Sequence, residues 1–168
     1  GTETVTVDGN VTGEYTTDNP GIAAVKTELV ETPGGKVYTP VTTMDAGTYY
    51  ISTKENDTAP TMQVTITKSE SSYYLQYDGT YYYPNASYSV SGWDYNVFTG
   101  KKPVTITGSN GAFTVSRIVS SYWKITSYLT LSDTPFGASD TETRLYFYKQ
   151  EDASAKTQTK ITFTGVSE

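Results

Sequence analysis

The segment Ser72–Phe98, SYYLQYDGTYYYPNASYSVSGWDYNVF, carries eight of the chain's sixteen tyrosines and one of its two tryptophans. At its centre Asp78-Gly79 separates two aromatic runs, and Asp-Gly suits a two-residue type I′ hairpin turn, in which both central residues take positive φ. Counting outward pairs Tyr77 with Thr80, Gln76 with Tyr81, Leu75 with Tyr82, Tyr74 with Tyr83 and Tyr73 with Pro84. Facing residues share a side and sides alternate along each strand. Tyr73, Leu75, Tyr77 and Tyr82 therefore form one face, and Tyr74, Gln76, Tyr81 and Tyr83 the other. Leu75 marks the first as the core side, so Tyr74, Tyr81 and Tyr83 are expected outside beside the Gln76 amide.

The same alternation, punctuated by Gly, Pro, Asn and Asp, recurs through the chain. ETVTVDG, KVYTPV, TYYIST, TMQVTITK, PVTITG, AFTVSR, YWKITSYLTLS, TRLYFYK and TKITFTG all read as half-buried strands. The segments TYYYP and ASYSV read as two more. GIAAVKTELVE has apolar residues at Ile22, Val25 and Leu29, and the flanking Asn19-Pro20-Gly21 and Pro33-Gly34-Gly35 leave room for either a short helix or an edge strand. The expected fold is all-β, an antiparallel β-sandwich with no substantial helix. TETVTVDGNVTG near the start and TKITFTGVSE near the end are alike in kind, and fit either neighbouring strands of one sheet or linker strands of a tandem array.

Composition limits the chemistry. The 168 residues contain no cysteine and no histidine, which removes disulfides, thiolate catalysis, the usual neutral-pH general base and most transition-metal ligand sets. SYWK, Ser121 to Lys124, has the Ser-x-x-Lys spacing of serine–lysine hydrolases, but on a strand its ends point to opposite faces. A net charge of −6 argues against nucleic acid as a partner. No apolar run reaches the 18 to 20 residues of a bilayer span, so direct membrane insertion is not expected, and the residues read as a soluble, processed segment of a larger multidomain protein. A cysteine-free chain rich in Thr, Ser, Gly and Tyr suggests an extracellular bacterial setting. The loops KENDT and SDTPFGASDTE offer oxygen ligands for calcium without a recognised spacing, and no other cofactor is expected.

Two stretches carry family resemblances. MDAGTYYIS, Met44 to Ser52, resembles the D-x-G-x-Y-x-C tyrosine corner of immunoglobulin-like domains, with Ile51 at the cysteine position; followed by VTITK, it is similar to the immunoglobulin-like repeats of bacterial surface adhesins. This resemblance covers residues 1–68 and implies a first module there, with TMQVTITK as its last strand. YWKITSYLTLSD and ETRLYFYKQE resemble a Tyr-rich β-module of wall-anchored proteins in Gram-positive gut bacteria. The resemblance covers residues 69–150, and the module it implies would span 69–168, either separate from the first or continuous with it. Modules of this kind often hold a Lys–Asn isopeptide bond beside a buried acid, which makes such a trio an expectation to examine.

Flat rings beside hydrogen-bonding groups suit a sugar, which offers a C–H face for stacking and a rim of hydroxyls. Trp123 alternates with Ile125, Leu129 and Leu131 and is expected in the core. Trp93 follows Ser91-Gly92 and precedes Asp94-Tyr95-Asn96, a turn composition that favours an exposed ring or one capping a sheet end. The expected glycan contacts are Trp93, Tyr74, Tyr81, Tyr83, Gln76, Asp94, Tyr95 and Asn96, in a non-catalytic, extracellular carbohydrate-binding or adhesion module. The competing reading is a structural stalk, or a domain binding a host or cell-surface protein, whose tyrosines only pack sheets.

Overall fold

A computed structural model describes residues 2–10 and 21–165, which form fourteen strands and, among the described residues, no helix. The all-β antiparallel expectation holds. The chain divides into two compact units, residues 1–36 with 152–168, and residues 37–151. This division differs from a boundary at 68/69, because β5 (Met62–Ser69) turns directly into β6 (Ser72–Tyr77) and pairs with it from Thr65–Gln76 to Ser69–Ser72.

In the first unit, β1 (Thr2–Asp8), β14 (Lys156–Gly165) and β2 (Ile22–Thr32) form a three-stranded sheet with β14 central. The two Thr-rich segments are thus neighbours in one sheet, registered from Thr2–Thr164 to Asp8–Gln158. The ambiguous GIAAVKTELVE is strand, paired with β14 from Lys156–Thr32 onward. Three turns of helix would have satisfied few of its backbone groups, whereas β14 supplies a partner along the segment's length.

The second unit is built on β3 (Lys36–Pro40), β4 (Gly47–Ser52), β5, β6, β7 (Thr80–Ser89), β8 (Gly92–Thr99), β9 (Thr105–Ser109), β10 (Ala112–Ser120), β11 (Ile125–Leu131), β12 (Phe136–Ser139) and β13 (Leu145–Asp152). The sheet runs β12-β11-β10-β13-β4-β5-β6-β7-β8, with β3 on β13 and β9 on β10. Asp78 and Gly79 take φ of 50° and 78°, and the hairpin has the register counted from sequence at Tyr77–Thr80, Gln76–Tyr81 and Leu75–Tyr82. Beyond that point the strands part. Tyr73 exchanges both backbone hydrogen bonds with Val104 (3.3 and 2.8 Å) instead of meeting Pro84, which has no N–H to offer. That bridge brings β9 to β6 and closes a ring, β13-β4-β5-β6-β9-β10, while β12 lies against β8. Inside it Tyr49, Ile51, Val64, Ile66, Leu75, Val104, Phe113, Val115, Leu145 and Phe147 form one buried cluster.

The tyrosine-corner hydrogen bond is present. Tyr49, 1% exposed, donates from its hydroxyl to the Asp45 carbonyl at 2.7 Å, and its ring meets Phe147 edge-on. This feature is local: β4 sits between β13 and β5 within the ring, so it does not by itself establish an immunoglobulin topology.

Burial pushes the Tyr49 phenol pKa up. As pH rises through about 10 the unfolded chain loses this proton first, so stability falls until the folded phenol ionises too. Tyr49→Phe is expected to cost about 1 kcal/mol at neutral pH through loss of the corner bond, and to flatten the alkaline limb. Urea unfolding across pH checks both; an unchanged midpoint and limb would show that the bond contributes nothing.

Candidate functional site

On the outer side of the β6–β7 hairpin, Tyr74 and Tyr81 are half-buried and meet edge-on with centroids 6.5 Å apart. Lys101, from the loop after β8, sets its ammonium 5.3 Å from the Tyr74 centroid and 5.6 Å from that of Tyr81. Gln76 lies on the same face, opposite Tyr81. The expected trio is incomplete, however. Tyr83 is only 8% exposed: Phe98 packs against it at 5.9 Å and the Arg117 guanidinium covers its ring at 4.9 Å. Once β7 leaves β6, β10 comes close to it, and a position counted as outer in an isolated hairpin becomes interior.

The Trp93 region also differs. WDYNVFT is strand β8, registered with β7 from Tyr82–Thr99 to Ser89–Gly92, so TYYYP and ASYSV belong to one strand with β8 as its partner. Because side chains alternate on a strand, Trp93 and Tyr95 share one face while Asp94 and Asn96 share the other. The expected constellation of Trp93, Asp94, Tyr95 and Asn96 around one ligand is therefore split between two faces. The period-2 spacing of Trp93, Tyr95 and Val97 was visible in sequence, but Gly, Asp and Asn composition masked it. Trp93 is half-buried at the sheet end and packs against Tyr88, its cross-strand partner, with centroids 5.3 Å apart. Tyr88 is 71% exposed, and Val90 in the turn between the strands is fully exposed.

Trp123 is not in the core. It is 67% exposed in the turn 121–124, beside Tyr122 at 81%, with ring centroids 4.8 Å apart. Lys124, at φ 54°, interrupts the extended chain and β11 starts only at Ile125. The Ser120 hydroxyl, accepting from the Trp123 N–H at 3.0 Å, fixes the turn. Ser120-Ser121 was the available sequence cue, overridden by the apolar alternation that follows.

The strands that lead to the two aromatic turns, β7 and β11, pack on each other. Phe136, paired with Leu131, packs on Tyr77 and Tyr82 at 5.8 and 5.0 Å, and the Ser127 hydroxyl donates to the Asn85 carbonyl at 2.9 Å. Moving along β7 from Tyr82 to Asn85 thus matches moving back along β11 from Leu131 to Ser127. The 121–124 turn lies in the chain beyond the Ser127 side of β11, and Tyr88 beyond Asn85 on β7. Elsewhere, Thr107, Ser109, Thr114, Ser116, Tyr128 and Arg144 line a polar concavity on β9, β10 and β11, with half-buried Tyr128 as its accessible ring.

The calcium loops hold their carboxylates otherwise. Asp57 accepts from the Ser52 hydroxyl at 2.7 Å and the Ala59 N–H at 3.0 Å, bonds that keep its carboxyl below the usual range. The buried Tyr148 hydroxyl ties the same loop down through the Lys54 carbonyl and the Asp57 N–H. Asp140 accepts from the Thr141 hydroxyl at 3.2 Å. Among the described residues no group of three or more Asp and Glu could hold a metal. Every lysine is exposed and no described acid is buried, so among the described residues no lysine and asparagine stand beside a buried acid as an isopeptide bond requires.

With Trp93→Phe and Trp123→Phe leaving one indole each, acrylamide is expected to quench Trp123 more efficiently than Trp93. Equal quenching constants would contradict the burial described. No protein-family model, curated protein or solved structure matches this chain.

Proposed function

We propose that the chain is a non-catalytic, extracellular carbohydrate-binding and adhesion module of a bacterial surface protein. The observation that carries this reading is the two accessible Tyr–Trp pairs of the second unit, Tyr88 with Trp93 and Tyr122 with Trp123. Exposed Tyr and Trp rings cost apolar hydration unless a ligand covers them, and paired rings meeting at an angle offer adjacent planes to successive sugar rings. Tyr74, Tyr81 and Gln76 form a second surface, already capped by Lys101. The lack of histidine and cysteine favours recognition over catalysis. Composition and the surface-protein resemblances support the bacterial, extracellular setting.

Retention on polysaccharide affinity gels tests the reading. Trp93→Ala and Trp123→Ala should each weaken retention about three- to tenfold, with the β-sheet circular dichroism unchanged. A wild-type protein retained by no polysaccharide, but bound by host or cell-surface proteins or by nothing, would favour the adhesin or stalk reading.

A further inference from the structure

We infer that the module takes acidic saccharides, with their carboxylate or sulfate groups held at a cation-rimmed groove where β6 and β7 part. This rests on the carbohydrate reading and adds the ligand's charge class. Ser71, Ser72, Lys102, Thr105, Arg117 and Ile118 line the groove. Its floor follows from the Tyr73–Val104 bridge, which places the loop after β8 between the strands.

The cations around this seam are arranged in an unusual way for a chain of net charge −6. Lys102 and Arg117 line the groove itself, Arg117 lying over Tyr83; Lys101 lies over Tyr74 and Tyr81 on the outer face of the hairpin, and Lys68 over Tyr73 at 5.5 Å on the opposite face. These are four of the eight basic residues between Val37 and Glu151; Lys54, Lys124, Arg144 and Lys149 are the others. None of the four has a carboxylate at ion-pair distance: the ion pairs among the described residues are Lys26–Glu28 and Lys36–Asp152. The acid nearest in sequence, Glu70 in the β5–β6 turn, pairs with none of them.

A cation resting on an aromatic face is held in place by the ring quadrupole, while its other side stays free to meet an anion. Ordering Arg117 on Tyr83 reduces the rotamer entropy lost when its planar fork binds a carboxylate or sulfate. Ser71, Ser72 and Thr105 supply hydroxyls for the sugar rim, and Ile118, 66% exposed, supplies an apolar contact on the strand leading to the Tyr122–Trp123 turn. The overall negative charge opposes a long polyanion but not a single acidic group at a local positive site.

Calorimetric titration tests the inference, using a hyaluronan hexasaccharide for carboxylate, a heparin hexasaccharide for added sulfate, and cellohexaose as the uncharged probe. At about 0.15 M salt at least one acidic probe should bind about tenfold more tightly than cellohexaose, and the stronger one identifies the group. Arg117→Gln and Lys102→Gln should each remove most of that preference. Lys102, exposed on the loop, keeps the test decisive where Arg117→Gln disturbs the fold over Tyr83. Equal affinity for charged and uncharged probes, unaffected by either substitution, overturns the inference and leaves the carbohydrate reading standing. Binding of none of the three overturns both. A single-stranded DNA hexamer bound as tightly as the acidic saccharides would also overturn the inference, reducing the groove to a general anion site.

Discussion

The pair of backbone hydrogen bonds between Tyr73 and Val104 is the contact on which the second unit's architecture depends. The hairpin with Asp78-Gly79 at its tip could extend to a Tyr73–Pro84 pair only if Pro84 carried a donor; it does not, and the β6–β7 ladder ends at the Leu75–Tyr82 pair. The strand edge freed on β6 is then satisfied by the chain that returns after β8. One missing N–H and one replacement partner thus convert a meander into a ring with a single buried core.

The same parting determines what each tyrosine does. Those in or next to the paired part of the hairpin obey its two-sided logic: Tyr77 and Tyr82 pack on Phe136, and Tyr74 and Tyr81 meet on the other face. Tyr83, beyond the point of divergence, comes under β10 and is enclosed by Phe98 and Arg117. Tyr88, at the far end of the same strand, has outrun the core and pairs with Trp93 in partial contact with water. A single strand therefore contributes tyrosines to a hairpin face, a sealed interior and an exposed rim.

Charge follows the aromatics. In the second unit Asp45, Asp57 and Asp140 accept local bonds that shape turns, as Asp57 does from Ser52 and Ala59. Cations instead lie over rings, which hold them without neutralising them. An acidic protein can in this way keep cations that no carboxylate neutralises, because the partner that positions each one carries no formal charge.

Alternation and turn chemistry in the sequence alone established the all-β antiparallel class, the Asp78-Gly79 hairpin and its register near the turn, the corner at Tyr49, and the kinship of the two terminal Thr-rich strands. These depend on period-2 geometry and on residues within a few positions of one another. Tertiary structure decided where β6 abandons β7, that Tyr83 is covered, that Asp94 and Asn96 turn away from Trp93, and that Trp123 projects from a turn. The first two of those outcomes rest on contacts between strands far apart in the chain, Tyr73 with Val104 and Tyr83 with Arg117, and local residue patterns carry no information about such partners until the ring has closed; the other two are local, set by alternation along β8 and by the Ser120–Trp123 bond, under turn and apolar patterns that pointed elsewhere.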